Sequence, residues 1–227
     1  MTAIIVSAYY RIPSKQPHEF YVSHIKRFLT GLKSFIVFFT EPELVEELSV
    51  LRGDLPIQFI TEHTIFKKRD RTFWEKQCEL DVEKYHTPEL GAIWFNKKEF
   101  VLRATEIIGR DCPYIWCDAG CVRYEQDISE FGTRNAIPRG KLLLQTFCKI
   151  PDEKFFKFPF VGIAGAIMAG YPDAWKKMSI LYDDMVDMYT EHGVCCNMDQ
   201  YILASIQKDE LFESILVQDW FDFLKML

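Results

Sequence analysis

The stretch Tyr114-Ile115-Trp116-Cys117-Asp118-Ala119-Gly120 decides the fold. Four uncharged, largely apolar residues suit a strand buried on both faces of a parallel sheet. An acidic residue ends the run, and a glycine two places on permits close approach of another backbone or a ligand. The same grammar recurs upstream. Residues 3–8 are a continuous apolar run; Phe35-Ile36-Val37-Phe38-Phe39 stops at Thr40-Glu41-Pro42; Ile57-Gln58-Phe59-Ile60-Thr61 follows the turn Gly53-Asp54-Leu55-Pro56. Between these runs the apolar spacing becomes helical. Phe20, Ile25, Phe28, Leu29 and Leu32 mark a helix over 19–32, Pro42 opens a short one reaching about Leu51, and further helices are expected over 73–85 and 92–108, the last ending at Gly109. Three successive strand-then-helix units predict an α/β fold of Rossmann-like type, with a mostly parallel central sheet flanked by helices and right-handed crossovers.

The second half is less regular. Residues 141–147 and 161–168 read as strands, 173–192 as a long helix and 200–207 as another; 216–227 reads as a short strand or turn followed by an amphipathic helix. No repeat, low-complexity stretch or Ser/Gly linker divides the chain, so 1–227 is expected to be one domain.

Composition narrows the function classes. The 227 residues are 48% hydrophobic and 26% charged, an ordinary globular balance. A net charge of -6 with mixed signs argues against general nucleic-acid binding. The one basic run, Lys67, Lys68, Arg69 and Arg71, reads as a solvated loop or a phosphate-facing one. Seven cysteines without a C-x-x-C pair indicate neither a disulfide framework nor zinc, and fit a reducing, cytoplasmic compartment. No apolar stretch is long enough to span a bilayer, and the N-terminus lacks the pattern of a signal peptide.

In a parallel sheet, ligands gather outside the carboxyl ends of the strands. That rule selects Tyr9-Tyr10-Arg11, Thr40-Glu41, Thr61-Glu62-His63 and Asp118-Ala119-Gly120. Asp118 is either a turn residue or a hard oxygen ligand for Mg²⁺ or Mn²⁺ beside a diphosphate. The helix before it carries Lys97, Lys98 and Arg103. Gly162-Ile163-Ala164-Gly165-Ala166 is small enough for close approach of a ligand or of another strand. Asp199 precedes a helix and is either its N-cap or a functional carboxylate. His192 and Asp219 are further candidate metal ligands. The five histidines show no metal-motif spacing, and a hydrolase using Cys117 or Cys121 lacks an identifiable histidine partner.

The segment 114–120 resembles the strand-and-acid motif of GT-A glycosyltransferases, in which Asp-x-Asp follows an apolar strand; here Gly120 stands in place of the second Asp. The chain more closely resembles the HtrL/YibB-like family, relatives of the nucleotide-diphospho-sugar transferases. It does so at Tyr9-Tyr10-Arg11, at Trp94-Phe95-Asn96-Lys97-Lys98, at Trp116-Cys117-Asp118-Ala119-Gly120 and at Asp199-Gln200, over most of its length. This resemblance implies a GT-A-like domain that moves a sugar from a nucleotide-diphosphate donor to a hydroxyl on a glycan, lipid or protein. Asp118 would hold Mn²⁺ or Mg²⁺, Lys98 or Arg103 would meet the diphosphate, and Tyr9, Arg11 and Thr40 would border the nucleotide. Gly120 and Gly165 would lie against the donor. Asp199 and Gln200 would touch donor sugar or acceptor, with Asp199 as general base in an inverting transfer or as a sugar-orienting group in a retaining one. Gly120 also leaves a metal-independent variant open. The alternative from another class is a non-catalytic nucleotide-sugar or glycan binding module of the same fold.

Overall fold

The apolar runs become the strands of one seven-stranded sheet of order β3-β2-β1-β4-β6-β5-β7 in the computed structural model, which describes residues 2–133 and 137–227. The strands are β1 (Ile4–Tyr9), β2 (Ile36–Thr40), β3 (Ile57–Ile60), β4 (Tyr114–Cys117), β5 (Leu142–Thr146), β6 (Ile163–Gly170) and β7 (Phe212–Leu216). All run in one direction except β6, which is antiparallel to both its neighbours, β4 and β5. The register levels the carboxyl ends: Tyr9 lies opposite Thr40, and Val6 opposite both Val37 and Trp116.

Alternate strand residues enter opposite core layers, as a period of two requires. Ile4, Val6, Val37, Phe39, Tyr114 and Trp116 face a layer that also takes Phe100 and Trp175. Ile5, Ile36, Phe38 and Ile115 face the other, with Ile25, Phe28 and Leu29. Each such fully buried side chain contributes about 1.5–3 kcal/mol.

Helices α3 (Arg71–Leu80), α4 (Pro88–Ile108), α5 (Pro172–Glu191) and α6 (Asp199–Ile206) supply the first layer; α1 (His18–Gly31), α2 (Val45–Arg52, entered through a 3-10 turn at Pro42–Leu44) and α7 (Phe223–Met226) supply the second. Two boundaries differ from expectation for a local reason. Asp70 accepts from the Phe73 N–H at 2.8 Å and starts α3 earlier; Thr87 accepts from the Leu90 N–H at 3.2 Å with Pro88 behind it, so α4 begins before residue 92. Gly109, at φ 65°, closes α4 in a left-handed cap. No described helix is long and apolar enough to cross a membrane.

Candidate functional site

The antiparallel course of β6 builds the site, because its beginning rather than its end comes to the carboxyl edge beside β4. Cys117 pairs with Ile167, and one step further the Asp118 N–H donates to the Ala166 carbonyl at 2.8 Å. Gly165 follows on β6, and α6 packs across this strand. A Cβ at Gly165 would lie 2.3 Å from Asp199 Oδ2 and 2.8 Å from Asp199 Cγ, so the missing side chain is what admits the Asp199 carboxylate. Asp199 is the first residue of α6 and not its cap, which is Met198.

Between the two aspartates lies the ammonium of Lys97, from the middle of α4. Lys97 Nζ is 2.7 Å from Asp199 Oδ2, 3.0 Å from Asp118 Oδ1, 3.3 Å from Asp118 Oδ2, and donates to the Gly165 carbonyl at 3.0 Å. The Trp116 indole N–H donates to Asp118 Oδ1 at 2.8 Å, and Trp116 is itself stacked on Phe100. The Lys97 and Asp199 side chains are 4% and 8% exposed, whereas that of Asp118 is 36% exposed. Burial alone would lower the Lys97 pKa, yet the charges of Asp118 and Asp199 outweigh it and hold the ammonium above its ordinary value. Desolvation raises the Asp118 carboxyl; Lys97 opposes this and Asp199 adds to it.

The other residues singled out in the sequence divide. Tyr9, Arg11 and Thr40 lie together at the ends of β1 and β2, but Thr40 is buried with its hydroxyl donating to the Tyr9 carbonyl at 2.8 Å. Tyr9 Oη lies 2.7 Å from His18 Nδ1, and burial pushes its phenol up to about 12. Arg11 donates its backbone N–H to Glu41 and leaves its guanidinium largely exposed near Glu47. Gln200 is buried beside Asp199, and a Cβ at Gly120 would meet nothing within 4 Å.

Lys98 and Arg103 go elsewhere. Lys98, 1% exposed, is held by Glu99 at 2.9 Å and Asp183 at 2.8 Å, over the Phe95 ring. Arg103 pairs with Glu106 on the outer face of α4, about 9 Å further along the helix than Lys97 at 1.5 Å per residue. Neither has Asp118 as its partner. The residue joining the two aspartates that the sequence reading assigned no role is Lys97, whose spacing to Phe100, Val101 and Ala104 places it on the apolar stripe of α4, where a lysine needs a buried acid.

A divalent Mg²⁺ or Mn²⁺ requires about six oxygen ligands. At Asp118 both carboxylate oxygens already accept hydrogen bonds, position 120 has no side chain, and an ammonium lies between the carboxylates. That donor set does not fit a metal held in the Asp-x-Asp manner. Asp81, Glu83 and His86 form a group that could hold a metal ion, with one ligand atom from each residue within 4.8 Å of the others; His86 Nδ1 is already 2.7 Å from Asp81 Oδ2. A depression of about 470 Å³ at the opposite edge of the sheet, between the end of α4 and the start of α5, is remote from Asp118 in the fold.

The fold is GT-A-like, a single α/β arrangement with a mostly parallel sheet flanked by helices. Among solved structures it is similar to mouse xyloside xylosyltransferase 1 in its apo form, at 14% identity and a TM-score of 0.51 over 94% of this chain and 84% of that one. It also matches a glycosyltransferase involved in the glycosylation of the major capsid of PBCV-1, at 11% identity and a TM-score of 0.44 over 94% and 82%. No protein-family model and no curated protein sequence matches the chain.

Proposed function

We propose that this chain is a glycosyltransferase that moves a sugar from a nucleotide-diphosphate donor to a hydroxyl on a glycan, lipid or protein. One observation carries this reading: Asp118 and Asp199, delivered by separate elements, converge on Lys97 at the edge of the sheet where such a fold binds its ligand. Asp118 presents its open face to the donor. Tyr9 and Arg11 border the nucleotide at the neighbouring strand end, with the exposed Arg11 guanidinium available to the diphosphate and the buried Thr40 hydroxyl bracing the Tyr9 carbonyl behind them.

Asp199 is clamped at 2.7 Å by an ammonium and almost closed from solvent, which suits a group that holds Lys97 and Asp118 in place beneath the sugar better than one that takes a proton. In the transfer, the bond from the anomeric carbon to the phosphate oxygen breaks and the bond to the acceptor oxygen forms. The nucleoside diphosphate leaves with the electron pair, and in a front-face transfer its departing oxygen takes the acceptor proton. Gly165 and Gln200 line the sugar side. All seven cysteines are free thiols, which supports a reducing, cytoplasmic setting.

The test is a thermal-shift panel of nucleotide-diphosphate sugars, followed by turnover of whichever donor stabilises the protein. One donor is expected to raise the melting temperature and to be transferred or slowly hydrolysed, and Asp118→Ala is expected to weaken its binding and lower turnover about 10²-fold. Binding that Asp118→Ala leaves intact, without turnover in either protein, would instead identify a non-catalytic binding module.

A further inference from the structure

The paired carboxylates and the missing second Asp pose a charge problem. Asp118 and Asp199 together bring two negative charges to a place where a diphosphate would bring more, and a divalent cation is one general solution to that repulsion. The chain contains another. Lys97 Nζ has three protons and three partners, namely Asp118, Asp199 and the Gly165 carbonyl, at 2.7–3.3 Å. It is anchored in the middle of a 21-residue helix and almost closed from solvent.

We infer that Lys97 is a built-in cation: its ammonium occupies the position between Asp118 and Asp199 that a divalent ion would need, and this site works without a metal. Lys97 is then a positioning residue. It holds both carboxylates in register and cancels one of their charges, while Asp118 keeps its open face for the ligand. The sequence departure at Gly120 belongs to the same solution, since an ammonium satisfied by two carboxylates and a carbonyl needs no third acid. The use made of this charge in sugar transfer rests on the function proposed above; the exclusion of metal from Asp118 does not.

The test uses Mn²⁺ alone as probe and melting temperature as readout, on wild type, Lys97→Met, Lys97→Arg and Asp118→Asn. Wild type is expected to gain no more from Mn²⁺, relative to a chelator, than Asp118→Asn does. Lys97→Met leaves two carboxylates facing each other, so it is expected to melt lower. It should then regain on the order of 5–10 °C when Mn²⁺ stands in about hundredfold excess over its dissociation constant. Lys97→Arg keeps the charge and is expected to remain insensitive to Mn²⁺.

Stabilisation of wild type by Mn²⁺ that disappears in Asp118→Asn overturns the inference, and this comparison stands even where Lys97→Met does not fold. A response that persists in Asp118→Asn arises elsewhere in the chain and upholds it. Failure of every nucleotide-diphosphate sugar to bind would count against the proposed function and leave these metal titrations readable.

Discussion

Gly165 is a residue whose absent side chain has a specific consequence. An alanine there would place its Cβ 2.3 Å from Asp199 Oδ2 and 3.2 Å from Leu203 Cδ1, so the carboxylate or the helix that carries it would have to shift. Gly165→Ala is therefore expected to cost about 1–3 kcal/mol through overpacking and to lower turnover by roughly 10–10²-fold, because the displaced Asp199 can no longer hold Lys97 against Asp118. Thermal melts and steady-state kinetics on the same sample check both. Asp118, Gly165 and Asp199 are all legible in the sequence, one from the end of an apolar strand, one from a run of small residues and one from a helix start. Lys97 is harder to read. Successive residues on a helix point about 100° apart, so Lys97 and Lys98 share a neighbourhood in sequence while one faces Asp118 and the other Asp183.

At the scale of elements, α4 positions the cation, and its ends are built to hold it. Thr87 and Pro88 start the helix, and Gly109 terminates it. Thr87→Ala removes the acceptor for the Leu90 N–H and is expected to cost about 1 kcal/mol, a fall of about 2–4 °C in melting temperature for a chain of this length. Because Lys97 lies more than two turns inside the helix, kcat/KM is expected to stay near wild type; scanning calorimetry with a donor assay reads the two apart. The strands of the first half are legible nearly to the residue, since each is an uninterrupted apolar run ended by a polar or turn-forming residue. The caps of α3 and α4 are less so, because Asp70 and Thr87 sit in polar stretches where many side chains could cap. Strand β7 is the poorest case. Its sequence Phe-Glu-Ser-Ile-Leu is half exposed, and its pairing partner β5 lies far back in the chain.

For the whole molecule, the parallel core follows from three local strand-helix units, whereas the antiparallel insertion of β6 between β4 and β5 depends on pairings between distant segments that no local pattern encodes. The layers are then tied by charge. Glu99 on α4 accepts from Lys98 at 2.9 Å, pairs with Lys68 at 2.8 Å and accepts from Ser179 of α5 at 3.2 Å, while Lys68 and Lys98 both reach Asp183 of α5. Burial works against the Glu99 charge, but Lys98 and Lys68 outweigh it and hold the carboxyl below its ordinary value. The folded protein therefore binds fewer protons at Glu99 than the unfolded chain does. Its contribution to stability is complete above the unfolded value of about 4.3 and is lost as the pH falls through the lower, folded value. Glu99→Gln abolishes this titration and leaves Lys98 without one of its acids. It is expected to destabilise the protein by roughly 2 kcal/mol at neutral pH and to flatten the acid limb of a melting curve series taken from roughly pH 7 to pH 3, because the mutant has less left to lose. Equal slopes for the two proteins would show that α4 and α5 are held together by their apolar contacts, with the buried charges adding nothing.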